Sequence, residues 1–131
     1  MNAEGSEPVP ILLVEDETGL RHIMAIMLSQ AGFHIVEAGN GAEALRILKA
    51  QPVPLVITDI VMPDMEGMEL IRKLRQSPSG PRILAISGGG VIASGDYLHA
   101  ARLLGADAVL AKPFTKAALL DAVRDLLQDA Q

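Results

Sequence analysis

The feature that most constrains this chain is an alternation of short aliphatic runs with helix-like stripes. The runs are Ile11–Val14, Phe33–Ala38, Leu55–Asp59, Ile83–Ile86 and Ala108–Ala111. Most are apolar at successive positions, the mark of a strand covered on both faces. Between them apolar residues recur at three- and four-residue spacing, as on a helix with one face turned inward. The stripes are Leu20, Ile23, Met24, Met27 and Leu28; Ala44, Leu45 and Leu48; Leu70, Ile71 and Leu74; and Leu119, Leu120, Val123, Leu126 and Leu127. Alternation at intervals of roughly twenty residues with short links builds a parallel sheet with helices on both faces. The expected fold is therefore α/β, with five strands and five helices.

Punctuation supports these limits. Ala31-Gly32 closes the first helix with Gly in the C-cap role, Gly39-Asn40-Gly41 is a turn, and Pro52 stops the second helix. Pro63 and Gly67 mark residues 61–67 as a loop, and Ser77-Pro78-Ser79-Gly80 ends the third helix. Gly88-Gly89-Gly90 is costly to order, so a mobile loop is expected there. A fourth helix is expected from near Gly95-Asp96 to Gly105, and Thr115 is placed to cap the last one.

A chain of 131 residues suits one core. Residues 1–9 read as a polar, acid-bearing leader and 10–131 as a single domain. With 2% aromatic residues the core is built from aliphatic side chains, and with no cysteine there are no disulfides, thiolate zinc sites or cysteine nucleophiles. The net charge of −5 and the thin spread of Lys and Arg argue against direct nucleic-acid binding. No apolar run approaches the roughly eighteen residues a membrane span requires. A soluble cytoplasmic protein is expected.

In open parallel sheets ligands sit at the carboxyl ends of the strands, near the point where strand order reverses. The reactive residues lie at such ends: Glu15-Asp16 after the first run, Asp59 on the third, Ser87 after the fourth and Lys112 after the fifth. With strand order 2-1-3-4-5, Glu15 and Asp16 face Asp59 across one strand spacing, and Ser87 and Lys112 line the adjacent edge. Clustered carboxylates need compensating cations. Lys112 supplies one, and oxygen-only donors suit Mg²⁺ as the other. Asp16 and Asp59 are the expected direct ligands, with Glu15 in the outer shell and the Val61 carbonyl completing the set. Asp59 is then the nucleophile of an in-line phosphoryl transfer, Lys112 pairs with phosphoryl oxygens, and the Ser87 hydroxyl donates to another.

From Ile11 to Gln128 the chain resembles the receiver domain of bacterial two-component response regulators. The resemblance rests on Glu15-Asp16, Asp59 with Met62-Pro63 and Gly67, Ser87, and Lys112-Pro113-Phe114, in that order on the strand ends. It implies a flavodoxin-like, doubly wound sheet. It also implies a histidine kinase or phosphotransfer protein as phosphodonor, a cis bond between Lys112 and Pro113, and an unidentified downstream protein target. The implied partner surface is formed by the fourth helix, fifth strand and last helix, on a monomer or a weak phosphorylation-dependent dimer. The chemistry implied is self-modification and its reversal rather than turnover of a substrate. Val61 and Gly89 lie where water would approach the acyl phosphate. Three features depart from the pattern: Glu15 stands where Asp is commoner, Val109 stands where many members carry a switching aromatic, and no output domain follows.

Taken one at a time, the residues have plainer roles. Glu15 and Asp16 suit a helix start, Asp59 and Ser87 suit turns, and Gly88–Gly90 lacks the Gly-Lys-Ser/Thr ending of a nucleotide loop. His22, His34 and His99 lack metal-ligand spacing and read as surface residues, Tyr97 as a half-buried helix residue, and the methionines as core filler. Two other classes remain: a Mg²⁺-dependent aspartyl phosphohydrolase, which would want an acid where Val61 stands, and a pseudo-receiver that binds partners without phosphate.

Overall fold

The computed structural model describes residues 7–60, 66–87, 102 and 105–129. Its elements are β1 (Pro10–Val14), α1 (Thr18–Gln30), β2 (His34–Ala38), α2 (Gly41–Ala50), β3 (Leu55–Asp59), α3 (Glu66–Leu74), β4 (Arg82–Ser87), β5 (Ala108–Ala111) and α4 (Lys116–Asp129). The five strands form one sheet in the order β2-β1-β3-β4-β5, and every pairing is parallel. This is the doubly wound, flavodoxin-like arrangement. The glycine run 88–90, Tyr97, His99 and most of the helix expected between Gly95 and Gly105 lie outside the described residues, as do Val61, Met62, Pro63 and Met65.

The sheet is buried on both sides because each strand divides its side chains between two cores. Leu12, Val14, Val56, Ile83 and Ala85 pack with Leu70, Ile71 and Leu74 of α3 and Ala44 of α2. Ile11, Leu13, Leu55, Ile57, Leu84 and Ile86 pack with Met24, Ala25 and Leu28 of α1 and with Leu119, Val123 and Leu126 of α4. The two-residue period of a strand makes this division. It also explains the absence of polar alternation, since neither face meets water. Among the described residues no helix is long and apolar enough to cross a membrane.

The turn chemistry follows the sequence closely. At the end of α1 the Gly32 amide donates to the Ser29 carbonyl at 3.0 Å and the Phe33 amide to the Leu28 carbonyl at 3.2 Å. That is a Schellman closure, and Gly32 takes the positive φ of 102° that it demands. Asn40 caps α2, its Oδ1 accepting from the Glu43 amide at 2.8 Å. Thr115 caps α4, its Oγ1 accepting from the Ala118 amide at 3.0 Å. The stripe expected on α1 needs one correction. Ile23 is 53% exposed; Met24 and Leu28 are buried as expected, joined by Ala25.

An arginine-centred contact closes the amino-terminal end of β4 and β5. Arg75, just past α3, donates from Nε to the Gly105 carbonyl at 2.7 Å and from Nη2 to the Pro81 carbonyl at 3.0 Å. Its guanidinium also pairs with Asp107, whose Oδ2 accepts from the Ile83 amide at 2.7 Å. Gly105 adopts a φ of +121°, and a Cβ there would run into the Arg75 side chain. Removing Arg75 takes one cation from Asp107, which keeps Arg82 at 3.2 Å and the Ile83 amide, and strips the guanidinium from two carbonyls that are half-shielded from water. Arg75→Ala is expected to lower stability by about 1–3 kcal/mol, measured as a shift of the urea midpoint at unchanged slope.

Candidate functional site

Register brings the acids together. β1 and β3 pair with Val14 opposite Thr58, so the next residue of each, Glu15 and Asp59, stand level at the carboxyl edge. Counting in twos, Ile11-Leu13-Glu15 and Leu55-Ile57-Asp59 point to the same face, and so does Ala108-Leu110-Lys112 beyond β5. The three side chains meet there. Lys112 Nζ donates to Asp59 Oδ2 at 2.8 Å and to Glu15 Oε1 at 3.3 Å. Its backbone amide donates to the Ser87 carbonyl at 2.9 Å, extending the β4–β5 ladder by one bond. The Lys112–Pro113 peptide is cis.

Glu15 and Asp59 are 3% and 5% exposed, and two buried acids sharing one lysine are not both easily ionised. Burial is the largest influence on Glu15, and the adjacent Asp59 carboxylate adds to it; the Glu17 amide and Lys112 oppose them. The result is a Glu15 pKa raised from 4.5 to about 7. Burial acts on Lys112 in the opposite sense, but the contacts with Asp59 and Glu15 outweigh it and hold the ammonium above its ordinary 10.5.

The surroundings fix this group further. Glu15 Oε2 accepts from the Glu17 amide at 3.0 Å, so the acid turns into the site instead of capping α1. The helix begins only at Thr18, has no acid in its first turn, and makes no side-chain cap bond through Glu17. Thr58 Oγ1 donates to the Asp59 carbonyl at 3.1 Å. Gly67 lies against that peptide so closely that a Cβ would strike the Asp59 carbonyl and come within 2.6 Å of the Ile60 Cα. Ser87 is fully buried at the end of β4, and its Oγ makes no hydrogen bond among the described residues. A buried hydroxyl without a partner costs about 1–3 kcal/mol, which suits a group kept for a ligand oxygen.

Asp16 lies on the exposed lip beside the buried pair. Among the described residues no three acidic or histidine side chains converge as a metal cluster, and Val61 is outside them. The donor set still fits Mg²⁺ on chemical grounds. It is oxygen-only and carries more negative charge than one lysine offsets. Mg²⁺ is commonly held by one or two carboxylates together with waters and phosphate oxygens, not by an all-protein cage. Glu15, Asp16 and Asp59 are the side chains that would hold it.

Sequence reasoning passed over Arg21 and Glu37. Arg21 Nη1 donates to the Glu15 backbone carbonyl at 2.8 Å, and its Nε donates to Glu37 Oε1 at 2.9 Å. The signal was the helical period: Arg21 shares a stripe with Met24, Ala25 and Leu28, so it faces the sheet as they do.

Fold and site together define a doubly wound α/β domain with a lysine-bridged acid pair at its strand ends, and comparison with known proteins gives the family. The model of the response regulator receiver domain matches residues 11–124, and the chain belongs to that family. The response regulator receiver protein CpdR of Brucella abortus is 36% identical over 118 residues, covering 89% of this chain and 95% of CpdR. The transcriptional regulatory protein GlrR of Escherichia coli is 34% identical over 124 residues. Those residues are 95% of this chain but 27% of GlrR, so the chain spans about a quarter of that relative. Among solved structures, a CheY-like receiver domain protein from Methanospirillum hungatei superposes with a TM-score of 0.82 at 26% identity, over 95% of this chain and 97% of that one. A receiver domain protein from Clostridium thermocellum does so with a TM-score of 0.82 at 27% identity, over 92% and 95%.

The Glu15 shift sets a pH dependence in metal-free buffer. Folded Glu15 holds its proton more tightly than the unfolded chain does, so this group favours folding below pH 4.5 and loses that advantage as pH rises towards about 7. Glu15→Gln is expected to match wild type below pH 4.5 and to exceed it above pH 7 by about 1–3 kcal/mol. Urea titrations across that range check it.

Proposed function

We propose that this chain is the phospho-acceptor of a two-component signalling relay, with Asp59 taking a phosphoryl group from a histidine kinase or phosphotransfer protein. The observation that carries the reading is the bridge from Lys112 Nζ to Asp59 and Glu15, with a buried Ser87 hydroxyl that has no partner among the described residues at the end of the neighbouring strand. Asp59 Oδ attacks phosphorus, the bond to the donor's imidazole nitrogen breaks, and that nitrogen keeps the electron pair. Lys112 moves from pairing the carboxylate to pairing the incoming phosphoryl oxygens, and Ser87 Oγ donates to another of them. Glu15, Asp16 and Asp59 would hold a Mg²⁺ ion, which would supply charge neutralisation for the transfer. The enzyme-like work is confined to the chain's own aspartate, since no separate substrate is required.

The apolar surface beside the site gives the donor a place to dock. Ile23 and Ile26 on α1 are 53% and 56% exposed. They adjoin an open cleft of about 380 Å³ lined by Leu20, Met24, Met27, Lys112, Pro113 and Phe114. Of the output face expected from the fourth helix, fifth strand and last helix, β5 and α4 are described, and the helix before β5 lies mostly outside the described residues.

Two experiments test the reading. Incubation with Mg²⁺ and a small acyl phosphate is expected to add one phosphoryl mass. Asp59→Asn should abolish the adduct, chelation of the metal should prevent it, and a wild-type chain that never gains the mass would refute the function. Ile26→Asp is expected to slow transfer from a phosphohistidine protein at least about tenfold, as loss of a docking contact does. Its rate with the small donor should stay near wild type.

A further inference from the structure

We propose that Arg21 is a positioning residue for the acid pair, acting on the peptide between Glu15 and Asp16 and held in place by Glu37. The inference rests on the reading above that these acids receive a divalent cation. Four contacts fix Glu15. Its amide donates to the Ala38 carbonyl at 3.1 Å, its Oε2 accepts from the Glu17 amide and its Oε1 from Lys112, and its carbonyl accepts from Arg21. Three of these are made by the main chain of an adjoining strand, by the local turn, or by a site residue. Only the carbonyl contact comes from a side chain outside the site.

That carbonyl belongs to the same peptide plane as the Asp16 amide. Its orientation sets where the backbone carries Asp16 as the chain leaves the sheet. Arg21 is suited to the task because a guanidinium presents several donors in one rigid plane. One edge serves the carbonyl, and Nε is anchored on β2 through Glu37, which also faces His22 Nδ1 at 3.3 Å. Arg21 is 16% exposed, and a Cβ added at Gly39 would sit 3.4 Å from its Nη1. The guanidinium therefore lies close over the β2–α2 turn and has little room to swing. A Glu37–Arg21–Glu15 chain thus ties the second strand to the acids at the end of the first.

The sign of the effect separates positioning from charge. Deleting a cation near a metal site should by itself tighten a divalent ion, because one repulsion is gone. Deleting a positioning group should weaken it, as loss of outer-shell partners does by about 10–100-fold. The experiment is a Mg²⁺ titration of the whole chain, read by the amide resonances of Glu15, Asp16 and Glu17, with no phosphodonor present. Arg21→Ala is expected to raise the half-saturating Mg²⁺ concentration about tenfold or more. Arg21→Lys should be intermediate, since it keeps the charge but cannot make both contacts. Because it holds the charge constant, Arg21→Lys carries the test where Arg21→Ala fails to fold, and unchanged Mg²⁺ binding in it would overturn the proposal. Arg75→Ala, which removes an arginine staple at the other end of the sheet, should titrate like wild type.

Unchanged or tighter Mg²⁺ binding in Arg21→Ala would overturn the proposal, as would equal weakening in Arg75→Ala. A wild-type chain whose Glu15–Glu17 amides ignore Mg²⁺ would overturn it too. A wild-type chain that binds Mg²⁺ but never accepts a phosphoryl group would end the switch reading, while the Arg21→Ala shift would still support this one.

Discussion

Everything at the working edge of this molecule depends on one unequal sharing: two buried carboxyls, Glu15 and Asp59, drawn to a single ammonium on Lys112. Buried charge is tolerated when it is paired and hydrogen-bonded, and here the pairing is incomplete. The cost shows in Glu15, pushed up to about 7 chiefly by burial and then by its acidic neighbour. A site in that condition has an appetite for further positive charge. The fold creates the condition by placing two acids on adjacent parallel strands at the same height, where neither can retreat into solvent.

The sheet therefore acts as a ruler. Register sets Glu15 level with Asp59, and strand parity turns both, with Lys112, to the face covered by α1 and α4. The ladder bond from the Lys112 amide to Ser87 then links the lysine's backbone to the strand that ends in the uncommitted hydroxyl. None of these placements relies on a long loop. Asp59 and Ser87 end their strands, and Glu15 and Lys112 lie one residue beyond theirs, where position is better determined than on a connecting segment.

Much of this was legible in the sequence for a physical reason. Strands buried on both faces leave continuous aliphatic runs, and the residue that breaks each run must lie at its carboxyl end, so Glu15, Asp59, Ser87 and Lys112 could be placed without coordinates. The rotation of α1 was less legible. Its apolar residues span more than one sector, and a stripe of Leu20, Ile23, Met24, Met27 and Leu28 does not show that 21, 24, 25 and 28 also share a face. Ile23 thereby went to the surface, and Arg21 came to the sheet. Long-range pairs such as Arg21 with Glu37, or Arg75 with Asp107, have no local signature, because they depend on how elements distant in sequence are packed.

The same geometry bears on how a charge change at Asp59 would be felt. Lys112 is already engaged by both acids, so an added phosphoryl group redistributes its contacts more than it creates them. Glu15 is held from four directions and has little freedom to respond. Ser87 differs: it is fully buried, and its hydroxyl has no partner among the described residues. A new acceptor oxygen at Asp59 within its reach would give that hydroxyl a partner it lacks among the described residues. The largest change in bonding would then fall on the end of β4 and the chain leaving it, which also accepts the Lys112 amide. A charge added on β3 would on this geometry act first at the carboxyl ends of β4 and β5, away from the Arg21-clamped side of the sheet.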